Sequence, residues 1–183
     1  VVEKTWVAAD CVVFRKTTDP YGGLSNMAAG YPLNVAGERF RTSEALYQAC
    51  RFPHAPEVQY AILAEASPMV AKWISKKHRK LHGRDDWEQI QVEVMRWCLL
   101  VKAAQHVTFG RLLRVTGRHA IVEESSRDRF WGARREPDGT LIGSNMLGVL
   151  LVQVRDELKA GTLDPTPPSI PELRLFGRAV DAS

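Results

Sequence analysis

The period at which apolar residues recur changes several times along this chain. Between Thr5 and Arg15 the apolar residues Trp6, Val7, Cys11, Val12, Val13 and Phe14 show no helical spacing and predict strand. Thr18 to Gly23 is turn-forming. Tyr31 to Phe40 reads as a hairpin, with Leu33 and Val35 on one arm and Phe40 on the other around Ala36-Gly37. From Thr42 the period becomes helical: Ala45, Leu46, Ala49 and Phe52 give one face, and Thr42 or Ser43 supplies a capping hydroxyl. Pro53 and Pro56 interrupt, a second helix covers Glu57 to Ala66, and Ser67-Pro68 opens a third. The longest stripe, Trp87, Ile90, Val94, Trp97, Val101 and Ala104, predicts a helix over Asp85 to His106 capped by Asp85 or Asp86. Thr108 to Val115 is a short helix closed by Gly117, and His119 to Glu123 a strand. Asn145 is placed to cap a last helix over Met146 to Lys159, which Gly161 stops.

Proline then changes the character of the chain. Pro165, Pro167, Pro168 and Pro171 predict an extended linker, and Leu173-Arg174-Leu175-Phe176 beyond it is free to dock on the domain or on a partner. The expected organisation is one domain over residues 1–161, followed by a Pro-rich tail over residues 162–183. No internal repeat is visible.

Composition narrows the class without choosing the chemistry. A chain of 183 residues can bury a substantial core, and 45% hydrophobic with 25% charged residues is ordinary for a soluble globular protein. The net charge of +4 favours anionic ligands. Cys11, Cys50 and Cys98 are few, odd in number and far apart, so a reducing cytoplasm is the expected location. No signal segment or long apolar run suggests a membrane. His78 and His82 lie four apart without an acidic partner, and neither a metal nor another cofactor is expected.

Three stretches can carry chemistry. Glu44 lies in the first turn of its helix, where the dipole favours a carboxylate; it is either a plain capping residue or a functional one. Lys102 lies within Leu99-Leu100-Val101-Lys102-Ala103-Ala104. It either snorkels to solvent, the commoner outcome, or is held desolvated as an amine nucleophile or acid/base. Asp128 precedes Trp131-Gly132, an indole beside a glycine that suits stacking on a base or sugar. Tyr47 offers a second such surface. Carboxylates beside stacking surfaces suit cleavage of an N-glycosidic bond, where positive charge develops at the anomeric carbon. Lys72 to Arg84 is strongly basic and reads as a solvated face or a phosphate-binding edge.

The order of the motifs adds a resemblance. Tyr21-Gly22-Gly23-Leu24-Ser25-Asn26, Thr42-Ser43-Glu44-Ala45-Leu46-Tyr47-Gln48-Ala49, Ala66-Ser67-Pro68 and Arg84-Asp85-Asp86-Trp87 resemble the NADAR superfamily, the YbiA-like proteins. So do Leu99-Leu100-Val101-Lys102, Asp128-Arg129-Phe130-Trp131-Gly132 and Asn145-Met146-Leu147-Gly148, in order from about Val13 to Lys159. The resemblance implies an α-rich α+β single domain with a small sheet, and an N-glycosidase. The bond attacked would be that of ADP-ribose on guanine bases of nucleic acid or of a phosphoribosylamine in riboflavin synthesis. It implies Glu44, Asp128 and Lys102 as catalytic, with a lysine Schiff base on a ring-opened ribose as a route beside direct hydrolysis. Asn26, Tyr47, Gln48, Arg84, Trp131, Gly132 and Asn145 would hold sugar, phosphate or base. Met27, Arg51 and Ser75-Lys76-Lys77 depart from the family pattern and bear on substrate choice. A non-catalytic ADP-ribose or nucleotide reader is the alternative, needing the Trp131 stack and the phosphate contacts only; a third reading is a generic nucleic-acid binder through Lys72 to Arg84, with strongly salt-dependent affinity.

Overall fold

A computed structural model describes residues 2–180. In chain order the elements are β1 (Lys4–Trp6), β2 (Cys11–Phe14), β3 (Leu33–Val35), β4 (Glu38–Phe40), α1 (Ser43–Ala49), α2 (Pro56–Ala64), α3 (Pro68–His82) and α4 (Trp87–Gln105). Then follow α5 (Val107–Val115), β5 (Ala120–Glu123), β6 (Arg134–Arg135), β7 (Leu141–Gly143), α6 (Met146–Ala160), β8 (Arg174–Leu175) and β9 (Arg178–Ala179). This is an α+β fold, as the family resemblance implies. The chain forms two compact units, one from residues 2–28 with 106–163, the other from residues 29–105 with 164–180.

In the first unit the stretch expected as one strand is two. A 3-10 turn over Ala8–Asp10, closed by Asp10 N–H on the Val7 carbonyl, separates β1 from β2. That break lets the strands join different sheets: β1 runs antiparallel to β7, and β2 runs parallel to β5 with Val12 opposite Ile121 and Val13 opposite Val122. Val122, Ala133 and Leu141 form a buried apolar cluster against Trp6, Cys11 and Val13. Helix α6 lies directly on β5. A Cβ at Gly148 would stand 1.9 Å from the Ile121 carbonyl oxygen, so no other residue fits there.

In the second unit β3 and β4 pair as the predicted hairpin, with Leu33 opposite Phe40. Ala36 and Gly37 both take positive φ, 52° and 79°, the turn geometry that matches strand twist. Helix α1 differs from the amphipathic helix expected: all seven of its residues are buried, among α2, α3 and α4. Cys50 and Cys98 are buried behind it.

The Pro-rich segment is not a loose linker. Trp97 Nε1 donates to the Pro165 carbonyl at 3.0 Å, and Arg84 Nη2 to that of Pro171 at 2.8 Å. Gln59, buried on α2, donates to the Arg174 carbonyl and accepts the Phe176 N–H. Leu173 and Leu175 are buried, and Phe176 packs its ring on Tyr60 and Phe40. The polar residue Gln59 thus serves as a clasp for the last strand pair. Among the described residues no helix is long and apolar enough to cross a membrane.

Candidate active site

Helix α1 begins where Thr42, in extended conformation, accepts the Ala45 N–H on its hydroxyl at 3.2 Å. That cap fixes the first turn and so the direction of Glu44. Glu44 is 5% exposed. Its Oε1 accepts from Gln48 Nε2 at 2.9 Å, one helical turn on, and faces Lys72 Nζ of α3 at 3.9 Å. Both contacts fall on one oxygen, and Oε2 carries neither. Gln48 is therefore a positioning residue for the carboxylate. Lys72 was legible in the sequence only as part of a basic run, because nothing local links positions 44 and 72.

Tyr47 does not offer an open stacking surface. Its ring is buried against Trp87, with centroids 5.0 Å apart, and burial raises its phenol far above the usual range despite the opposing charge of Arg51. The Arg51 guanidinium lies over the other participant, 4.4 Å from the Trp87 ring centroid, and burial lowers its pKa, with Tyr47 opposing. Arg84 follows closely, its backbone N–H on the Arg51 carbonyl. Arg84 forms a bidentate pair with Asp86, at 2.6 and 2.9 Å, and the hydrogen bonds from Arg84 lower the Asp86 pKa. Arg51 Nε and Arg84 Nη1 are buried with no hydrogen-bond partner among the described residues. Such donors are costly unless something accepts from them, which suits an anionic ligand.

Lys102 is fully buried, contrary to the snorkelling expectation. Its Nζ lies 4.6 Å from the centre of the Tyr31 ring, and desolvation brings its pKa down to about 7. The ring holds the ammonium inside, where a longer reach to solvent is replaced by a cation–π contact. Cys98, one turn earlier on α4, has its thiol raised by burial first and by Cys50 next, and it also feels the charge of Glu44.

The remaining predicted residues lie in the other unit. Asn26 is buried in the loop after the 3-10 turn Gly22–Leu24, next to a turn closed by the Met27 N–H on Ser25 Oγ. Asp128 Oδ1 accepts the N–H groups of Phe130 and Trp131 at 3.1 and 2.9 Å. Its carboxylate shapes the loop that presents the half-buried Trp131, whose ring meets Phe130 edge-on. The carbonyls of Phe130 and Trp131 in turn accept the N–H groups of Met146 and Leu147, at the start of α6. That explains why Asn145 makes no side-chain cap. Asn145 sits at φ 48°, fully buried, donating to the Ile121 carbonyl and accepting the Glu123 N–H. Its amide pins α6 to β5. Gly132 is also fixed by packing: a Cβ there would meet the Glu123 carbonyl oxygen at 2.5 Å.

The NADAR domain profile matches residues 13–159, and the chain belongs to the NADAR domain family. It is 35% identical over 153 residues to the N-glycosidase YbiA of Escherichia coli strain K12, covering 83% of this chain and 91% of that protein. It is 32% identical over 150 residues to a riboflavin biosynthesis protein of Vibrio vulnificus, covering 81% of this chain and 38% of that one. The NMR structure of the E. coli protein YbiA superposes with a TM-score of 0.71 at 34% identity, covering 85% of this chain and 89% of that one.

Proposed function

We propose that this protein is an N-glycosidase that hydrolyses a ribosyl N-glycosidic bond, with Glu44 as the catalytic carboxylate. The observation that carries the reading is the enclosed Glu44, with Gln48 and Lys72 both on Oε1 and Oε2 left to act. As the C1–N bond breaks, positive charge develops at C1, and an anion at that point stabilises it while taking a proton from the attacking water. The relatives' names support the same bond type. Arg51 Nε and Arg84 Nη1 supply donors for a phosphate on the ribosyl group. Within the first unit Asp128 holds the loop that carries Trp131, and the family resemblance gives Trp131 and Asn26 to base and sugar. The substrate class is ADP-ribose on guanine bases of nucleic acid or a phosphoribosylamine of riboflavin synthesis.

Lys102 adds a second route. With a pKa of about 7, a good part of it is neutral amine at physiological pH. Its neutral amine can attack C1 as the C1–N bond to the base or amine breaks, the leaving nitrogen taking up a proton; opening of the ribose ring then gives an imine at C1, which water hydrolyses to the C1 aldehyde and free lysine. Incubation with ADP-ribosylated guanine oligonucleotides and with the phosphoribosylamines, followed by mass spectrometry of released ribose species, tests the reading. Turnover of one class and its loss in Glu44→Gln are expected; full activity in that variant overturns Glu44's role. Borohydride added during turnover should leave a reduced adduct on Lys102 if the imine forms.

A further inference from the structure

Helix α3 turns Ala71 and Ser75 inward, against α1 and α2, and leaves Lys72, Trp73, Lys76, Lys77, Arg79 and Lys80 exposed. The helix contains no acidic residue. Lys72, Lys76 and Lys80 form one row, successive members about 6 Å apart along the axis. That spacing is comparable with the separation of successive phosphates in an extended strand. Beside the row stands Trp73, an indole left 59% exposed, with Lys77 Nζ 5.6 Å from its ring centroid. Packing gives no reason to expose so large a ring, and a flat indole flanked by ammonium groups is what a base above a phosphate backbone requires. The row starts at the candidate carboxylate, since Lys72 is the lysine facing Glu44.

We propose that the outer face of α3 is a binding track for single-stranded nucleic acid, with phosphates on the lysine row and a base on Trp73. A duplex keeps its bases stacked away from Trp73. An anionic membrane would need a continuous apolar face, whereas exposed Met69, Val70 and Trp73 in the first two turns are separated from exposed Leu81 in the last by Lys76, Lys77, Arg79 and Lys80. Only the direction of the track, towards Glu44, rests on the activity proposed above; the binding does not.

Fluorescence anisotropy of the full chain with a labelled oligothymidylate, over a salt series, tests it without turnover. Binding should weaken as salt rises, and Lys76→Gln/Lys77→Gln/Lys80→Gln should reduce the slope of log affinity against log salt by about 2. Trp73→Ala should weaken binding about tenfold with the slope kept, and Trp73→Phe should restore most of it. A charge-matched control, Lys4→Gln/Lys16→Gln/Arg118→Gln, should change little. The proposal is overturned by no binding at low salt, by equal loss in the control, by an inert Trp73→Ala, or by tighter binding to duplex or to phosphatidylserine vesicles. Binding without turnover would remove the glycosidase reading and leave this one standing.

Discussion

A carboxylate enclosed in protein needs donors to offset its lost hydration, and at Glu44 those donors lie on one side. Lys102 is the opposite case, a buried cation whose charge is disfavoured by desolvation. In the unfolded chain this lysine keeps its proton up to about pH 10.4; in the folded chain it loses it near 7. Between those values the unfolded state binds more protons, so stability rises with pH, and the full cost of burying the charge is felt below 7. Lys102→Met should therefore stabilise the fold by on the order of 3–5 kcal/mol at pH 6, with the gain shrinking towards pH 10. Urea unfolding of both proteins at the two pH values measures this. The same substitution should abolish borohydride trapping. The sequence left Lys102 open between snorkelling and burial, because the choice depends on Tyr31, seventy-one positions earlier. Asp128, Gly132 and Asn145 show the converse. Their motif was readable, but their polar atoms or missing Cβ are used by the backbone around them, which only the tertiary structure reveals.

Elements whose limits depend on neighbouring residues were legible. Thr42 caps α1, Ala36-Gly37 turns the hairpin, and Gly161 ends α6 at φ 72°. Ser67 shows the limit of that rule: it occupies the N-cap of α3 yet makes no side-chain cap bond. The α1 cap has a use beyond helix stability, because it sets the turn that carries Glu44. Thr42→Ala should lower stability by about 1 kcal/mol, measured by chemical denaturation. It should also reduce kcat on the substrate found, and Thr42→Ser should restore both. A cap that served stability alone would leave kcat unchanged. The parallel pairing of β2 with β5 was not legible, since strand register across more than a hundred residues has no local signal.

At the scale of the whole molecule, the Pro-rich segment takes one of the two courses open to it and packs within the second unit. Proline-rich composition predicts extension, and the segment is indeed mostly without helix or strand, but Gln59, Arg84 and Trp97 hold its backbone to the second unit. Deleting residues 164–183 removes Leu173 and Leu175 from the core, worth roughly 1.5–3 kcal/mol each. It also frees the Arg84 bond to Pro171. A truncated chain should unfold at markedly lower temperature, followed by circular dichroism, and limited proteolysis should cut within α2 where Gln59 loses its partners.

That clasp has a consequence for synthesis on the ribosome. Each unit is made of two separated stretches, and the chain leaves the second unit at residue 105 and returns to it at 164. A nascent chain that has emerged only as far as about residue 150 carries α1 to α4 complete in sequence, but lacks the strand pair that Gln59 and Phe40 await. Vectorial synthesis thus holds this unit unfinished until its final segment is free, and ribosome-stalled chains should gain protease resistance over Ala29–Gln105 only once Phe176 has left the exit tunnel.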